Sequence, residues 1–125
     1  MLPDNELDDA RSCVARLEQI DADFTGLGGM FQGKTLFNED RRRAQEKLRL
    51  LKEFLFSEVK RLRKAERKGR LTQIEETYYY SAIREAKAEL TMPWNSIPDG
   101  KWHSELYGSQ VRITHALFGL KEQIP

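Results

Sequence analysis

The chain has 125 residues, of which 39% are hydrophobic and 33% charged, and its formal net charge is +1. This length fits one domain, and a chain of this size buries roughly two thirds of its extended surface, so a core forms without cross-links. The periodic hydrophobic residues and the near-zero net charge exclude an intrinsically disordered chain.

Cysteine content and hydropathy predict the compartment. Cys13 is the only cysteine, so no internal disulfide forms. It lies in an apolar pattern beside Val14 and is predicted to be a buried hydrophobe. The acidic start lacks the apolar stretch of a secretory signal, and no uncharged apolar run approaches the roughly 20 residues of a spanning helix. We expect a cytoplasmic protein with no membrane contact.

The first predicted element is an amphipathic helix over about residues 4–24. Apolar side chains recur there every three or four residues, after an acidic start that complements the helix dipole. Four glycines then interrupt the pattern. They predict a Gly-rich loop over residues 25–37.

A helical hairpin follows. Leucines at helical spacing predict a long second helix over about residues 39–68, and Gly69 is placed to end it as the C′ residue. The sequence from Thr72 to Glu75 is a capping box, which begins a third helix over about residues 72–91. The short connection indicates that the two helices are antiparallel.

The last helix is predicted over about residues 102–121, after a turn-rich segment, with Gly108 as a candidate for a close helix crossing. In the third helix, Tyr78 and Tyr79 are predicted to face the core and Tyr80 to face solvent. The predicted fold class is all-α: one domain, an antiparallel bundle of about four helices built around the long hairpin.

Residues 28–35 match the literal phosphate-loop pattern G-x-x-x-x-G-K-[ST], with Gly28, Gly33, Lys34 and Thr35 at the fixed positions. A genuine phosphate loop follows a buried strand within β–α alternation. Here an amphipathic helix pattern comes before the match. We therefore interpret it as an interhelical loop, predict no cofactor, and keep nucleotide binding as a remote alternative.

No catalytic or metal-binding set is predicted. His103 and His115 have no partner at a metal-ligand spacing, and His115 is interpreted as a packed residue at the edge of the core. Glu85 and Glu89 share a helix face but lack a Glu-x-x-His partner, so they are interpreted as a solvated acidic patch. Cys13 with either histidine has no local hydrolase signature. We expect a protein that is not an enzyme.

Charge is distributed unevenly along the chain. The net charge is −6 over residues 1–40, +9 over residues 41–70 and −2 over residues 71–125. At 100° per residue, one stripe of the second helix lies opposite its leucines and collects cations with one phenylalanine among them. The members of this stripe are Arg42, Arg49, Phe56, Lys60, Arg63 and Arg67.

Two interpretations of the stripe compete. It is a solvated face balanced by the acidic first helix, or it is a binding surface. Our leading hypothesis is a non-enzymatic helical interaction protein (a regulator, adaptor or inhibitor) that binds a protein partner, for which an acidic surface is the natural match. The alternative is a DNA- or RNA-binding accessory protein in which Phe56 stacks on a base. The wide apolar arc of the second helix leaves homodimerisation open.

Overall fold

The computed structural model describes residues 4–31, 38–91 and 99–125, and these form an antiparallel helical bundle. Helix α1 spans Asp4–Phe31 and α2 spans Asn38–Arg67. A π-helical turn, Glu75–Tyr79, leads directly into α3, Tyr80–Leu90, and α4 spans Asp99–Glu122. The described residues contain no strand, so the all-α prediction is confirmed.

Each helix lies antiparallel to its neighbours around the bundle, and α1 packs most extensively against α4. At that contact, Gln110 donates a hydrogen bond to Thr25 over 2.7 Å and Thr114 donates one to Asp21 over 2.8 Å. The residue number rises along one helix as it falls along the other. The antiparallel pair of α1 and α4 therefore completes the bundle, and the hairpin of α2 and α3 forms its other half.

Buried hydrophobic side chains from all four helices form one continuous core. Its largest fully buried members are Tyr79, Phe24, Leu17, Ile20, Leu27, Leu55, Leu62, Ile83, Leu90, Leu106, Ile113 and Leu120. Cys13 also lies in this core, as predicted. Burial raises the pKa of its thiol to about 12, so the thiol is protonated at neutral pH and a poor nucleophile.

The turn after α2 confirms the predicted end of that helix. Gly69 has a φ of +64°, in the left-handed region that favours glycine. Its N–H donates to the carbonyl of Glu66 over 3.1 Å, and the N–H of Arg70 donates to the carbonyl of Ala65 over 2.8 Å. This pair of bonds is the Schellman motif, which satisfies carbonyls at the end of a helix.

The predicted capping box is also present. The hydroxyl of Thr72 accepts from the N–H of Glu75 over 3.1 Å, and the Glu75 carboxylate accepts from the N–H of Thr72 over 3.2 Å. These reciprocal bonds satisfy two backbone donors at the start of the helix. Together with the Schellman motif they confirm the antiparallel hairpin.

The π-helical turn overturns the predicted orientation of Tyr80, whereas Tyr79 is buried as predicted. Tyr79 and Tyr80 are buried, whereas Tyr78 is only partly buried. A π-helical turn uses i→i+5 hydrogen bonds, so the residues after it are rotated relative to a regular α-helix. Tyr80 consequently faces inward, and the guanidinium of Arg84 lies 5.1 Å from the centre of its ring.

The prediction of a loop from residue 25 was wrong for residues 25–31, which continue α1. Leu27 is fully buried and continues the spacing of Ile20 and Phe24, so tertiary burial outweighs the roughly 1 kcal/mol that each helical glycine costs. Residues 32–37 lie outside the described residues. Helix α4 begins three residues before its predicted start, at Asp99.

Gly119, and not Gly108 as predicted, lies at a close helix crossing. A Cβ atom added at Gly119 would lie 2.8 Å from Cε1 of Tyr78, on the π-helical turn. A Cβ added at Gly108 would meet only the end of the Arg112 side chain, at 3.7 Å. The close approach of α4 to the tyrosine ring therefore depends on Gly119.

These two glycines give a matched test of the crossing. We expect Gly108→Ala to raise the free energy of unfolding by up to about 1 kcal/mol, because alanine favours the helix. Gly119→Ala gains the same propensity but overpacks the tyrosine ring, so we expect a net loss of about 1 kcal/mol. Urea unfolding measures both, and equal stabilisation by the two alanines would contradict the crossing.

Candidate functional site

The six members of the predicted stripe lie on the outer face of α2, and all are exposed. Their electrostatic surroundings differ along the helix. Arg42 and Arg49 have acidic residues at i±3 and i±4 positions, whereas Lys60 and Arg67 have none. This difference divides the predicted site into two unequal parts.

In the first half of α2, Arg49 is already bonded to two carboxylates. It donates to Glu46 over 2.6 Å and to Glu53 over 2.7 Å. The hydrogen bond with Glu46 raises the pKa of Arg49 and lowers the pKa of Glu46. Arg43 likewise donates to Glu39 over 3.4 Å. Arg49 is therefore a weak candidate for contact with a further anion.

In the second half of α2 and the turn after it, residues 60–70 contain seven Lys or Arg and one Glu. Only Arg61 has a carboxylate within 4.0 Å among the residues that the structure describes. The other six are exposed and form what we call the basic cluster: Lys60, Arg63, Lys64, Arg67, Lys68 and Arg70. The predicted site residues Lys60, Arg63 and Arg67 belong to this cluster.

The basic cluster weakens the helix that carries it. Lys60 lies three and four residues before Arg63 and Lys64, and like charges at these spacings destabilise a helix by roughly 0.2–0.5 kcal/mol per pair. Lys64 and Arg67 lie in the last turn, where cations gain from the helix dipole. Lys60 precedes that turn and has no acidic residue at i±3 or i±4, so helix stability does not explain it.

Arg61 has a structural role and is set apart from the cluster. Its guanidinium donates to Glu58 over 3.0 and 3.1 Å and to Glu75, on the π-helical turn, over 3.1 Å. Tyr79 donates to the same Glu58 carboxylate over 2.6 Å. Burial and the bond to Glu58 raise the pKa of Tyr79, so this hydroxyl remains a donor at neutral pH. The network joins α2 to the start of the next helix.

Phe56 contacts a neighbouring helix and lies one turn before the cluster. Its ring is 47% exposed, and Nζ of Lys87 in α3 lies 4.8 Å from the ring centre. This distance is that of a cation–π contact. A base stacked on this ring would compete with Lys87, which weakens the predicted stacking role.

Several residues considered for catalysis or metal binding are placed differently from the prediction. Glu85 and Glu89 both contact Arg112 of α4, at 2.8 and 2.5 Å, so they form an interhelical ion-pair group, in which Glu85 remains exposed and Glu89 is partly buried. His115 is exposed and does not pack at the core edge. The side chain of His103 lies outside the described part of the chain.

Only part of the phosphate-loop match lies among the residues that the structure describes. Gly28 belongs to α1, so the match begins within a helix. Gly33, Lys34 and Thr35 lie outside the described residues. Within the described ranges, no three His, Cys, Asp or Glu side chains come close enough to hold a metal ion, and no helix is long and apolar enough to cross a membrane.

One feature of the surface was missed by the sequence analysis. Leu50 and Phe54 of α2 remain exposed and, with Ile20 of α1, line an apolar groove of about 480 Å³ between the two helices. Both residues widen the apolar stripe of α2 in the sequence. Only the structure shows that no described neighbour covers them. Comparison with known protein families, curated proteins and solved structures finds no match for this chain.

The Glu58 network predicts how stability depends on pH. Burial alone would raise the pKa of Glu58, but hydrogen bonds from Arg61 and Tyr79 outweigh it, and the pKa is lowered from 4.5. The unfolded chain then binds a proton more readily than the folded chain, so stability is lost as the pH falls below that value. We expect Glu58→Gln to be less stable at neutral pH and to lose less stability on acidification from about pH 5 to about pH 3.

Urea unfolding at a series of pH values measures this effect. Glu76→Gln is the control, because Glu76 is exposed and forms no ion pair with any of the described side chains. A Glu58→Gln variant with the same acid sensitivity as the wild type would show that Glu58 does not carry the linkage.

Proposed function

We propose that the chain is a non-enzymatic helical interaction protein that binds an acidic surface of a partner protein through the basic cluster. A regulator, an adaptor and an inhibitor are the roles that such binding serves. One observation carries the proposal: Arg49 in the first half of α2 is paired with Glu46 and Glu53, whereas six of the seven cations over residues 60–70 have no carboxylate within 4.0 Å among the described residues.

The chemistry of the cluster supports recognition of an anionic surface. Its six side chains are exposed and lie within about three turns of chain. Clustered cations raise the local concentration of an anionic partner and accelerate encounter. Lys and Arg side chains also adapt to partner carboxylates without a preformed pocket, so a shallow, convex surface is sufficient.

The acidic start of α1 favours a compact acidic patch over an extended phosphate backbone. Thr72, two residues after the cluster, donates a hydrogen bond to Asp9 of α1 over 2.5 Å. Further acidic residues, Asp4, Glu6 and Asp8, lie in the same end of α1. A long polyanion leaving the cluster in this direction would be repelled. The sequence pI of 7.8 is also below the value of about 9 that is typical of nucleic-acid-binding domains.

Binding to two kinds of anion tests the proposal. We expect a fluorescently labelled Glu-rich peptide to bind in an anisotropy titration at low salt. The triple variant Lys60→Ala, Arg63→Ala, Arg67→Ala should bind it about tenfold more weakly, since each exposed charge contributes up to about 1 kcal/mol. The double variant Arg43→Ala, Arg49→Ala should bind like the wild type, because Arg43 is paired with Glu39 and Arg49 with Glu46 and Glu53.

Labelled DNA and RNA oligonucleotides are titrated in parallel at low and physiological salt. Tighter binding of an oligonucleotide than of the peptide, with affinity falling steeply and linearly on a log–log plot against salt, would replace this proposal with nucleic-acid binding. Circular dichroism of each variant shows whether the helical fold is retained.

The same cluster predicts opposite effects on stability and binding. In Lys60→Glu, two repulsive pairs with Arg63 and Lys64 become attractive, so we expect the free energy of unfolding to rise by about 1 kcal/mol while peptide binding weakens. Arg49→Glu, the matched control, places a third carboxylate beside Glu46 and Glu53 and should destabilise the chain. Thermal unfolding measures the stability of both variants. A loss of stability in Lys60→Glu would contradict the proposed repulsion between Lys60 and its neighbours Arg63 and Lys64.

A further inference from the structure

Helix α4 differs from α2 in how little charge it carries. Residues 106–120 contain one charged residue, Arg112, whereas seventeen of the thirty residues of α2 are Lys, Arg, Asp or Glu. A helix on the surface of a soluble bundle usually has charged and polar residues on its outer side. The described side chains of α4 lack this charged outer side over residues 106–120.

Three sides of α4 are covered by the bundle itself. Its buried side chains, such as Ile113, face the core. On one flank Thr114 donates a hydrogen bond to Asp21 of α1, and on the other flank Arg112 pairs with Glu85 of α3. The fourth side of the helix faces solvent.

The solvent side of α4 presents four side chains in a row, which we call the α4 face: Tyr107, Val111, His115 and Phe118. They are the exposed residues of the stretch 106–120, in which every side chain is described. Tyr107 is 59% exposed, Val111 47% and Phe118 60%. Their spacing places all four within about 80° of one another around the helix and along about 16 Å of its length. The α4 face is therefore a continuous and mainly apolar surface.

The charges beside the α4 face do not select a charged partner. The ionised groups on its two flanks belong to ion pairs within the chain, Lys121 with Glu18 and Arg112 with Glu85. A helix that binds a lipid surface carries Lys and Arg beside its apolar side, and the α4 face has no such row of cations. A second copy of the chain needs no charge pattern, because two identical uncharged apolar surfaces are complementary to each other.

The spacing of the α4 face suits a two-fold axis. Tyr107 and Phe118 lie at its ends, each about 8 Å along the helix from the midpoint, and Val111 and His115 lie within about 4 Å of the midpoint. Around a two-fold axis that makes two α4 helices antiparallel, Tyr107 lies beside Phe118 of the second copy. Val111 then lies beside His115 of that copy. Each member of the face thus meets another member, and the aromatic rings meet as pairs.

The exposed aromatic area of the α4 face is large enough to contribute to a stable dimer. An aromatic side chain has roughly 150–250 Å² to bury, so the exposed parts of Tyr107 and Phe118 amount to roughly 90–150 Å² each. Two copies bury four such rings, which is about a quarter to a third of a standard interface of about 1,600 Å². Val111, His115 and the flanking side chains add the remaining contact area.

We propose that the chain forms a two-fold symmetric dimer in which the α4 faces of two copies pack against each other, with the two helices antiparallel. Helix α4 packs against α1 and α3 and lies diagonally opposite α2 in the bundle. The dimer therefore leaves the basic cluster exposed on both copies. It does not depend on the proposed function, because the two surfaces lie on different helices.

Sedimentation equilibrium of the full chain between about 1 μM and about 1 mM measures the dimer. We expect a monomer–dimer equilibrium with a Kd in the micromolar range. Phe118→Glu should raise this Kd at least about hundredfold, because each dimer loses two buried rings and gains two carboxylates. Leu50→Glu is the matched control, because Leu50 is 52% exposed on α2, and it should dimerise like the wild type. Circular dichroism shows that each variant retains its helices.

Disulfide formation tests the antiparallel arrangement. Tyr107→Cys and Phe118→Cys are prepared as single variants and oxidised with glutathione, each alone and as a mixture. In the dimer the new cysteines of the mixture lie opposite each other, whereas those of either variant alone are about 16 Å apart, beyond the roughly 7 Å that a disulfide spans between Cα atoms. We expect a linked dimer from the mixture alone. The native Cys13 is buried and does not compete.

Three outcomes would overturn the inference. The first is a wild-type chain that stays monomeric up to about 1 mM. The second is a dimer that Leu50→Glu dissociates and Phe118→Glu leaves intact, which would place the contact on the α1/α2 side of the bundle. The third is a linked dimer from Tyr107→Cys alone, which would contradict the antiparallel pairing. The peptide titrations of the basic cluster are read separately, so failure of the dimer and failure of the proposed function are distinguishable.

Discussion

The guanidinium of Arg61 joins the second helix to the start of the third through Glu58 and Glu75. Glu75 is also the last residue of the capping box, so one carboxylate both begins the helix and holds it against α2. Thr72, the first residue of the box, donates to Asp9 of α1. Three segments of the chain thus meet through one set of polar side chains. Removing one partner would leave a half-buried charge uncompensated, which is costly.

This network meets the chain at the π-helical turn. The turn begins at Glu75 and ends at Tyr79, and both residues bond to α2, through Arg61 and Glu58 respectively. The wider turn aims both side chains at α2. It also determines which side chains face the core. Tyr80 is buried, and Tyr78 lies partly buried against Gly119.

The parts of the fold that follow from local chemistry were predictable from the sequence. The hairpin is specified by Gly69 and the capping box, whose bonds form between residues at most five apart. The extension of α1 through residue 31 was not predictable from composition, because it depends on the burial of Leu27 against other helices. The π-helical turn was missed for the same reason, since the bonds that accompany it come from α2.

For the candidate site, the sequence predicted the position of the exposed stripe but not every carboxylate that pairs with the arginines of α2. The partners of Arg49 lie three and four residues away and are readable from spacing alone. The bond of Arg61 to Glu58 is readable from the i−3 spacing in the same way, but its bond to Glu75 is not, because Glu75 lies fourteen residues later and meets it only in the fold. The groove between α1 and α2 was not predictable either, because a helical wheel shows that Leu50 and Phe54 are apolar but not whether a neighbour covers them.

The contrast within α2 is the strongest physical argument for a partner. A helix under selection for stability alone would place acidic residues among its cations along its whole length, as the first half does around Arg49. The second half forgoes this stabilisation at Lys60, which has no acidic residue at i±3 or i±4 and precedes the last turn, where the helix dipole would compensate. Among the described residues no contact compensates for it either. The proposed partner accounts for this arrangement, because six exposed cations complement an anionic surface.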